Sequence, residues 1–207
     1  MKKNLRYPRP PFTIEPMRKI TLDLETKNFF SDVGSNDPAD LDISVVCVHD
    51  SETDQYSSFL EKDFNKLWPI LEQSDMIITW NGDHFDIPLL NKYYPGDLSK
   101  VKSLDLMKEV QKVFGRRLKL DTVGEATLGR NKTADGAEAV VWWQKGEIDK
   151  LISYCIEDVR LTKELYDYAI ANSKLKYKDL GTIKEIKLNT SSWEIPESSA
   201  MTFTLPF

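Results

Sequence analysis

The sequence predicts an α/β protein with a mixed sheet, part antiparallel and part parallel, flanked by helices. Three observations predict it: short β-rich segments joined by polar turns before residue 60, alternating helical and strand patterns after it, and one long amphipathic helix near the end. At 207 residues, 41% hydrophobic and 29% charged, the chain suits one soluble domain with a sizeable core and is not disordered. No apolar run approaches the roughly 18 residues a bilayer span needs. "MKKNLRYPRPPF" has basic residues with no apolar segment behind them, so neither a membrane nor a secretory segment is expected. Cys47 and Cys155 show no pairing pattern, which points to a reducing, cytoplasmic setting.

Residues 1–17 contain four prolines and little periodicity, and read as an N-terminal arm. "RKITLDLET" is the first strand. The loop "SDVGSNDPADLD" follows, then "ISVVCVHD" and "QYSSFL" as strands two and three around the turn "DSETD". These three should form an antiparallel meander. Residues 62–74 carry Phe64, Leu67, Trp68 and Leu71 at helical spacing, with Pro69 a blemish. "DMIITWN" is the fourth strand and ends at the turn signal Asn81-Gly82. Helices are expected at 86–94, 104–114 (closed by Gly115) and about 121–128, then a polar loop over 129–146 holding Trp142 and Trp143. Ile148, Leu151, Ile152, Cys155, Ile156 and Val159 recur at three and four residues, giving a helix over about 147–171. The tail from 173 to 207 has one strand candidate, "IKEIKL", and no assigned role.

The candidate chemistry is acidic. In "TLDLETKNF", Asp23 and Glu25 share one face of an apolar strand while Leu22 and Leu24 share the other. Two like charges there repel and gain nothing from burial, so solvent, a basic partner or a divalent metal must compensate. An Asp-x-Glu alone is weak evidence, since Asp50 and Glu52 form another in a turn; the apolar setting singles this one out. "WNGDHFDIPLL" joins a strand to a helix, with Asn81, Phe85 and Asp86 as its points. That spacing is expected far less than once by chance at this composition. A bland alternative makes Asp86 a helix N-terminal charge. On the long helix, Tyr154 and Asp158 stack four residues apart at the margin of the apolar stripe. Singly, these could be a rim aromatic and an exposed charge.

Asp23-x-Glu25, Asn81-x-x-x-Phe85-Asp86 and Tyr154-x-x-x-Asp158, in this order, resemble the three motifs of the DEDDy-type 3′→5′ exonucleases. These belong to the ribonuclease H-like superfamily and include the proofreading domains of family-B DNA polymerases. The resemblance covers roughly residues 18–170, within a domain expected over 18–172, and implies a five-stranded sheet, antiparallel over strands 1–3 and then parallel. The histidine branch would place His where Ser153 stands, five residues before the last Asp. His84, inside the second motif, reads as a loop residue.

The resemblance implies catalytic residues Asp23, Glu25, Asp86, Tyr154 and Asp158, the four carboxylates holding two divalent cations, Mg²⁺ or Mn²⁺. Asp23 would touch both ions, Glu25 and Asp158 the nucleophile-side one, and Asp86 the other, largely through water. Tyr154 would orient the attacking water, a role that suits a phenol near pKa 10. Thr26, Asn81 and Phe85 would touch the substrate, a single-stranded nucleic acid end, DNA favoured over RNA. A separate replication or repair protein is the implied partner.

The net charge of −5 argues weakly against nucleic acid, yet residues 100–119 hold seven basic side chains against Asp105 and Glu109. That run reads either as a phosphate track or as a solvated helix face. Trp142 and Trp143 with Lys145 could stack a base. Asp105, in "SLDLM", is not taken as a ligand. Two other readings stay open: a nucleic-acid-binding module without catalysis, and a metal-dependent endonuclease of the same superfamily.

Overall fold

A computed structural model describes residues 17–130 and 136–195. The proposed proline-rich arm, all but its last residue, and the end of the tail lie outside those residues. Strand β1 (Lys19–Thr26) pairs antiparallel with β2 (Ile43–Asp50), which pairs antiparallel with β3 (Gln55–Phe59). On its other side β1 runs parallel to β4 (Met76–Thr79), and β4 runs parallel to β5 (Ser103–Asp105). The sheet order is β3-β2-β1-β4-β5, the five-stranded mixed sheet expected.

Helices cover both faces. A short α1 (Phe30–Val33) lies in the β1–β2 connection, and α2 (Phe64–Glu72) precedes β4. α3 (Asp86–Asn91) follows β4, and α4 (Leu106–Phe114), α5 (Leu120–Leu128), α6 (Gly136–Gln144) and α7 (Ile148–Asn172) follow β5. The alternation of β1 divides its neighbours. Ile20, Leu22 and Leu24 pack with Leu67, Leu71, Leu89 and Leu90 of α2 and α3. The opposite face, carrying Asp23 and Glu25, lies under α7, whose Leu151, Cys155 and Val159 cluster with Val45 and Cys47 of β2.

Three expectations are corrected. The helix placed at 104–114 begins at Leu106, because Ser103–Asp105 extend the sheet as β5 and Asp105 caps the helix by accepting from Lys108 N (3.2 Å). The polar loop expected over 129–146 contains α6, which buries Ala139 and Val140 and lays Trp142 against Tyr154. Tyr154 and Asp158 are not marginal. Both are 6% exposed, because α6 and the sheet cover that side of α7.

The segment after residue 173 shares the core. β6 (Lys174–Asp179) and β7 (Thr182–Lys187) form an antiparallel hairpin whose Leu175, Tyr177 and Ile186 join the cluster of Val110, Val123 and Leu165. Trp193, 4% exposed, stacks on Tyr166, and Glu194 accepts from Tyr166 Oη (2.8 Å) and Lys19 Nζ (2.5 Å). Among the described residues, no helix is long and apolar enough to cross a membrane.

Candidate active site

The candidate site lies toward the carboxyl end of β1, beyond the residues that pair in parallel with β4, the usual position for ligands on such sheets. Asp23 and Glu25 project from β1 and Asp158 descends from α7. One carboxylate oxygen of each lies within 4.8 Å of the other two. Three anionic oxygen donors at that separation suit a hard cation and offer nothing to a soft one. The donor chemistry therefore fits the implied divalent ions. Among the described residues it is the one group of three or more candidate metal-ligating side chains this close.

Asp86 stands outside that group. It is 4% exposed, at the first turn of α3, and interacts with the backbone of Leu24, the residue between Asp23 and Glu25. Burial pushes its carboxyl up to about 7, Asp105 adding to the rise and hydrogen bonds from its own backbone and Leu24 opposing it. The fold thus sets Asp86 beside β1 without joining it to the trio of oxygens.

Tyr154 belongs to this electrostatic neighbourhood. Burial raises its phenol well above the ordinary range, and the charges of Asp158, Glu25, Asp23 and Asp121 raise it further. It stays protonated at neutral pH and can donate. Trp142 meets its ring edge-on at 5.6 Å, which fixes the plane in which the hydroxyl swings. Behind the site, Cys155 Sγ lies 3.6 Å from Asp23 Oδ2 and 3.5 Å from Asp23 O, a weak donor bracing that carboxylate.

The loop after β4 is held by a residue expected to do nothing catalytic. Asp105 accepts from Asn81 N (2.9 Å) and Asp83 N (3.3 Å), so one buried carboxylate ties β5, α4 and this loop together. Asn81 sits at φ 75°, a left-handed conformation that Asn tolerates better than most residues. Gly82 follows because there is no room for more: a Cβ would lie 2.3 Å from Thr79 Oγ1. Phe85 meets Phe30 edge-on at 6.3 Å and anchors the loop.

A cleft of about 460 Å³ opens from the acidic group. Asp23 and Asp158 form part of its wall, and Trp80, Asn81, Arg117, Lys119 and Asp121 line the rest. Arg117 Nη2 donates to Asn81 Oδ1 (2.5 Å), while Trp80 Nε1 donates to Leu118 O (3.2 Å). The whole stretch from Arg117 to Asp121 lines the cleft, its Leu118 side chain buried and Arg117 and Lys119 supplying positive charge.

The substrate-contact candidates therefore separate. Asn81 is in the cleft. Phe85 and Thr26 are not part of its wall, and the Thr26 hydroxyl donates to Asn28 O (2.9 Å). Arg117 and Lys119, from the basic run read as a possible phosphate track, line the cleft, and Asp121 stands there although nothing in the sequence marked it. Of the basic run, Lys108 pairs with Asp83, Lys112 pairs with Glu109, and Lys102 Nζ donates to the carbonyls of Trp193 and Ile195. Trp143 lies under Lys27 Nζ at 5.4 Å, and Trp142 is committed to Tyr154.

Comparison with known proteins agrees with this fold. The family model described as the RNase H superfamily matches residues 20–170. The DNA polymerase of Thermococcus litoralis is 30% identical over 155 residues, covering 60% of this chain and 9% of that protein. The DNA polymerase of Thermococcus aggregans is 29% identical over 155 residues, covering 60% and 8%. This chain thus spans less than a tenth of those relatives. The family B DNA polymerase structure from Pyrobaculum calidifontis superposes with a TM-score of 0.59 at 18% identity, covering 80% of this chain and 25% of that one, a likeness of fold.

Proposed function

This chain belongs to the RNase H superfamily, and on that premise we propose that it is a metal-dependent 3′→5′ exonuclease acting on single-stranded nucleic acid ends, DNA in preference to RNA. The observation that carries the reading is the convergence of Asp23, Glu25 and Asp158 within 4.8 Å beside a nucleotide-sized cleft. Similarity to DNA polymerases supports it.

In this reading Asp23, Glu25 and Asp158 would hold one Mg²⁺ or Mn²⁺, and Asp23 with Asp86 would serve a second. Bound there, such ions activate a water and neutralise charge on the phosphoryl oxygens. Tyr154, kept protonated by its buried, anionic surroundings, donates to and orients the attacking water. Asn81, held by Arg117, faces the terminal nucleotide, and Arg117 and Lys119 face the phosphates opposite the carboxylates. Thr26 and Phe85 shape the site from behind. Residues 18–172 form the catalytic unit, with 173–207 a C-terminal addition and 1–17 an arm; replication or repair is the setting that the polymerase likeness suggests.

The test is a 5′-labelled single strand incubated with Mg²⁺ or Mn²⁺. A ladder shortening one nucleotide at a time from the 3′ end is expected, and Asp23→Ala and Asp158→Ala should abolish it while remaining folded. Internal fragments would instead mark an endonuclease. Binding with no cleavage would mark a docking module.

A further inference from the structure

The β6–β7 hairpin ends in a turn that neither local preference nor packing accounts for. Asp179 and Thr182 are the last paired residues, leaving Leu180-Gly181 as a two-residue loop. Both have positive φ, 47° and 82°, the type I′ geometry in which Asn-Gly or Gly-Gly is favoured. A leucine in the left-handed region is strained, and this one is fully exposed, at 100%. Ile183, one residue beyond the turn, is 59% exposed. The fold gains nothing visible from either side chain.

Its surroundings give the turn a context. The Arg116 guanidinium sits 5.0 Å from the Phe114 ring centre, and Phe114 packs at 4.4 Å on Tyr177 of the hairpin. The Asp179 carboxyl is held below its usual range chiefly by its hydrogen bond and ion pair with Lys184, and the Arg116 charge adds a smaller pull in the same direction. The next residue, Arg117, lines the acidic cleft. The hairpin end therefore adjoins the cleft through two consecutive arginines. The hairpin carries five lysines, of which Lys174, Lys178 and Lys184 pair with Glu185, Glu125 and Asp179, and residues 116–119 add Arg116, Arg117 and Lys119 with no acidic side chain, in a chain of net charge −5.

We propose that the hairpin end is a second nucleic-acid contact: the strand leaving the cleft passes Arg117 and Arg116, and Leu180 packs against a base upstream of the strand end. A cationic border offers phosphate contacts of either strand type, and an apolar tip offers a base-facing surface without sequence preference. This rests on the nucleic-acid reading of the cleft and assigns that substrate a footprint longer than the terminal nucleotide.

Leu180→Asn tests it, because Asn-Gly suits the turn better and the variant should melt no lower than the parent. Affinities would be measured by fluorescence anisotropy with Ca²⁺ as the sole divalent ion, using oligonucleotides of about 3 and about 15 residues. Leu180→Asn should bind the short one as the parent does and the long one about five-fold more weakly. Arg116→Gln should reduce the salt slope for the long one by about 1. Parental affinity for the long strand in Leu180→Asn overturns the inference, and so does a lower melting temperature, which would make the leucine structural. A parent chain that binds the long strand through Leu180 yet never shortens it would leave this contact standing and remove the exonuclease reading. One that shortens strands with Leu180→Asn indistinguishable would do the reverse.

Discussion

Asp158→Asn should make the metal-free protein more stable while destroying its response to divalent ions. Asp158 is 6% exposed, and one of its oxygens lies within 4.8 Å of oxygens from both Asp23 and Glu25. At that separation a pair of unit charges repels by about 3.5 kcal/mol at an effective dielectric of 20, and by about 1 kcal/mol in water. Asp23 and Glu25 are only half-buried, so the lower part of that range applies. Asparagine keeps the shape and one acceptor oxygen but removes two repulsive pairs, together worth about 2 kcal/mol near the water-like limit. For a chain of this size that raises Tm by about 4–8 °C. The assay is thermal denaturation in EDTA and again in excess Mn²⁺. The parent should gain stability with Mn²⁺ by mass action, and Asp158→Asn should gain far less. An Asp158→Asn protein that melts lower than the parent in EDTA would refute the repulsion argument. A parent indifferent to Mn²⁺ would refute the metal site.

Asp86 supplies a pH test. Its carboxyl, moved from 3.8 to about 7 by burial, binds a proton more tightly folded than unfolded, so metal-free stability should fall as pH rises from about 4 to about 7. Asp86→Asn should remove roughly 4 kcal/mol of that slope by urea titration. Asp105, also raised by burial, leaves a remnant. Parallel profiles for the two proteins would contradict it. Gly82→Ala should cost about 2–3 kcal/mol and sharply reduce cleavage, because the new methyl would lie 2.3–2.5 Å from the Thr79 side chain and displace the loop carrying Asn81. Trp193→Ala should cost about 3 kcal/mol in urea unfolding with little change in cleavage rate, since its stack on Tyr166 lies away from the cleft; an unchanged midpoint would show that the segment adds nothing to the core.

Features governed by local rules were legible in the chain. The alternation of "TLDLET" set Asp23 and Glu25 on one face and Leu22 and Leu24 on the other, because a strand's period is two in any context. The 3.6-residue period of residues 148–172 likewise put Tyr154 and Asp158 on one side of a helix. Features governed by what covers an element were not legible. β5 is three residues long and its "SLD" merges into the apolar pattern of the helix behind it. α6 reads "GAEAVVWWQ", apolar nearly all round, so no stripe distinguished it from a loop. Its presence over α7 turned two margin residues into buried ones.

The sequence by itself determined the kind of side chains available, oxygen donors in three separated segments, and the faces from which they project. Only the tertiary structure decided their distances. It brought Asp23, Glu25 and Asp158 within 4.8 Å, left Asp86 beside Leu24, and recruited Asp105, Arg117 and Asp121, which lie outside the three acidic motifs. Periodicity is a property of neighbours along the chain. Convergence depends on the order β3-β2-β1-β4-β5 and on helices laid across it, which pair residues more than a hundred positions apart.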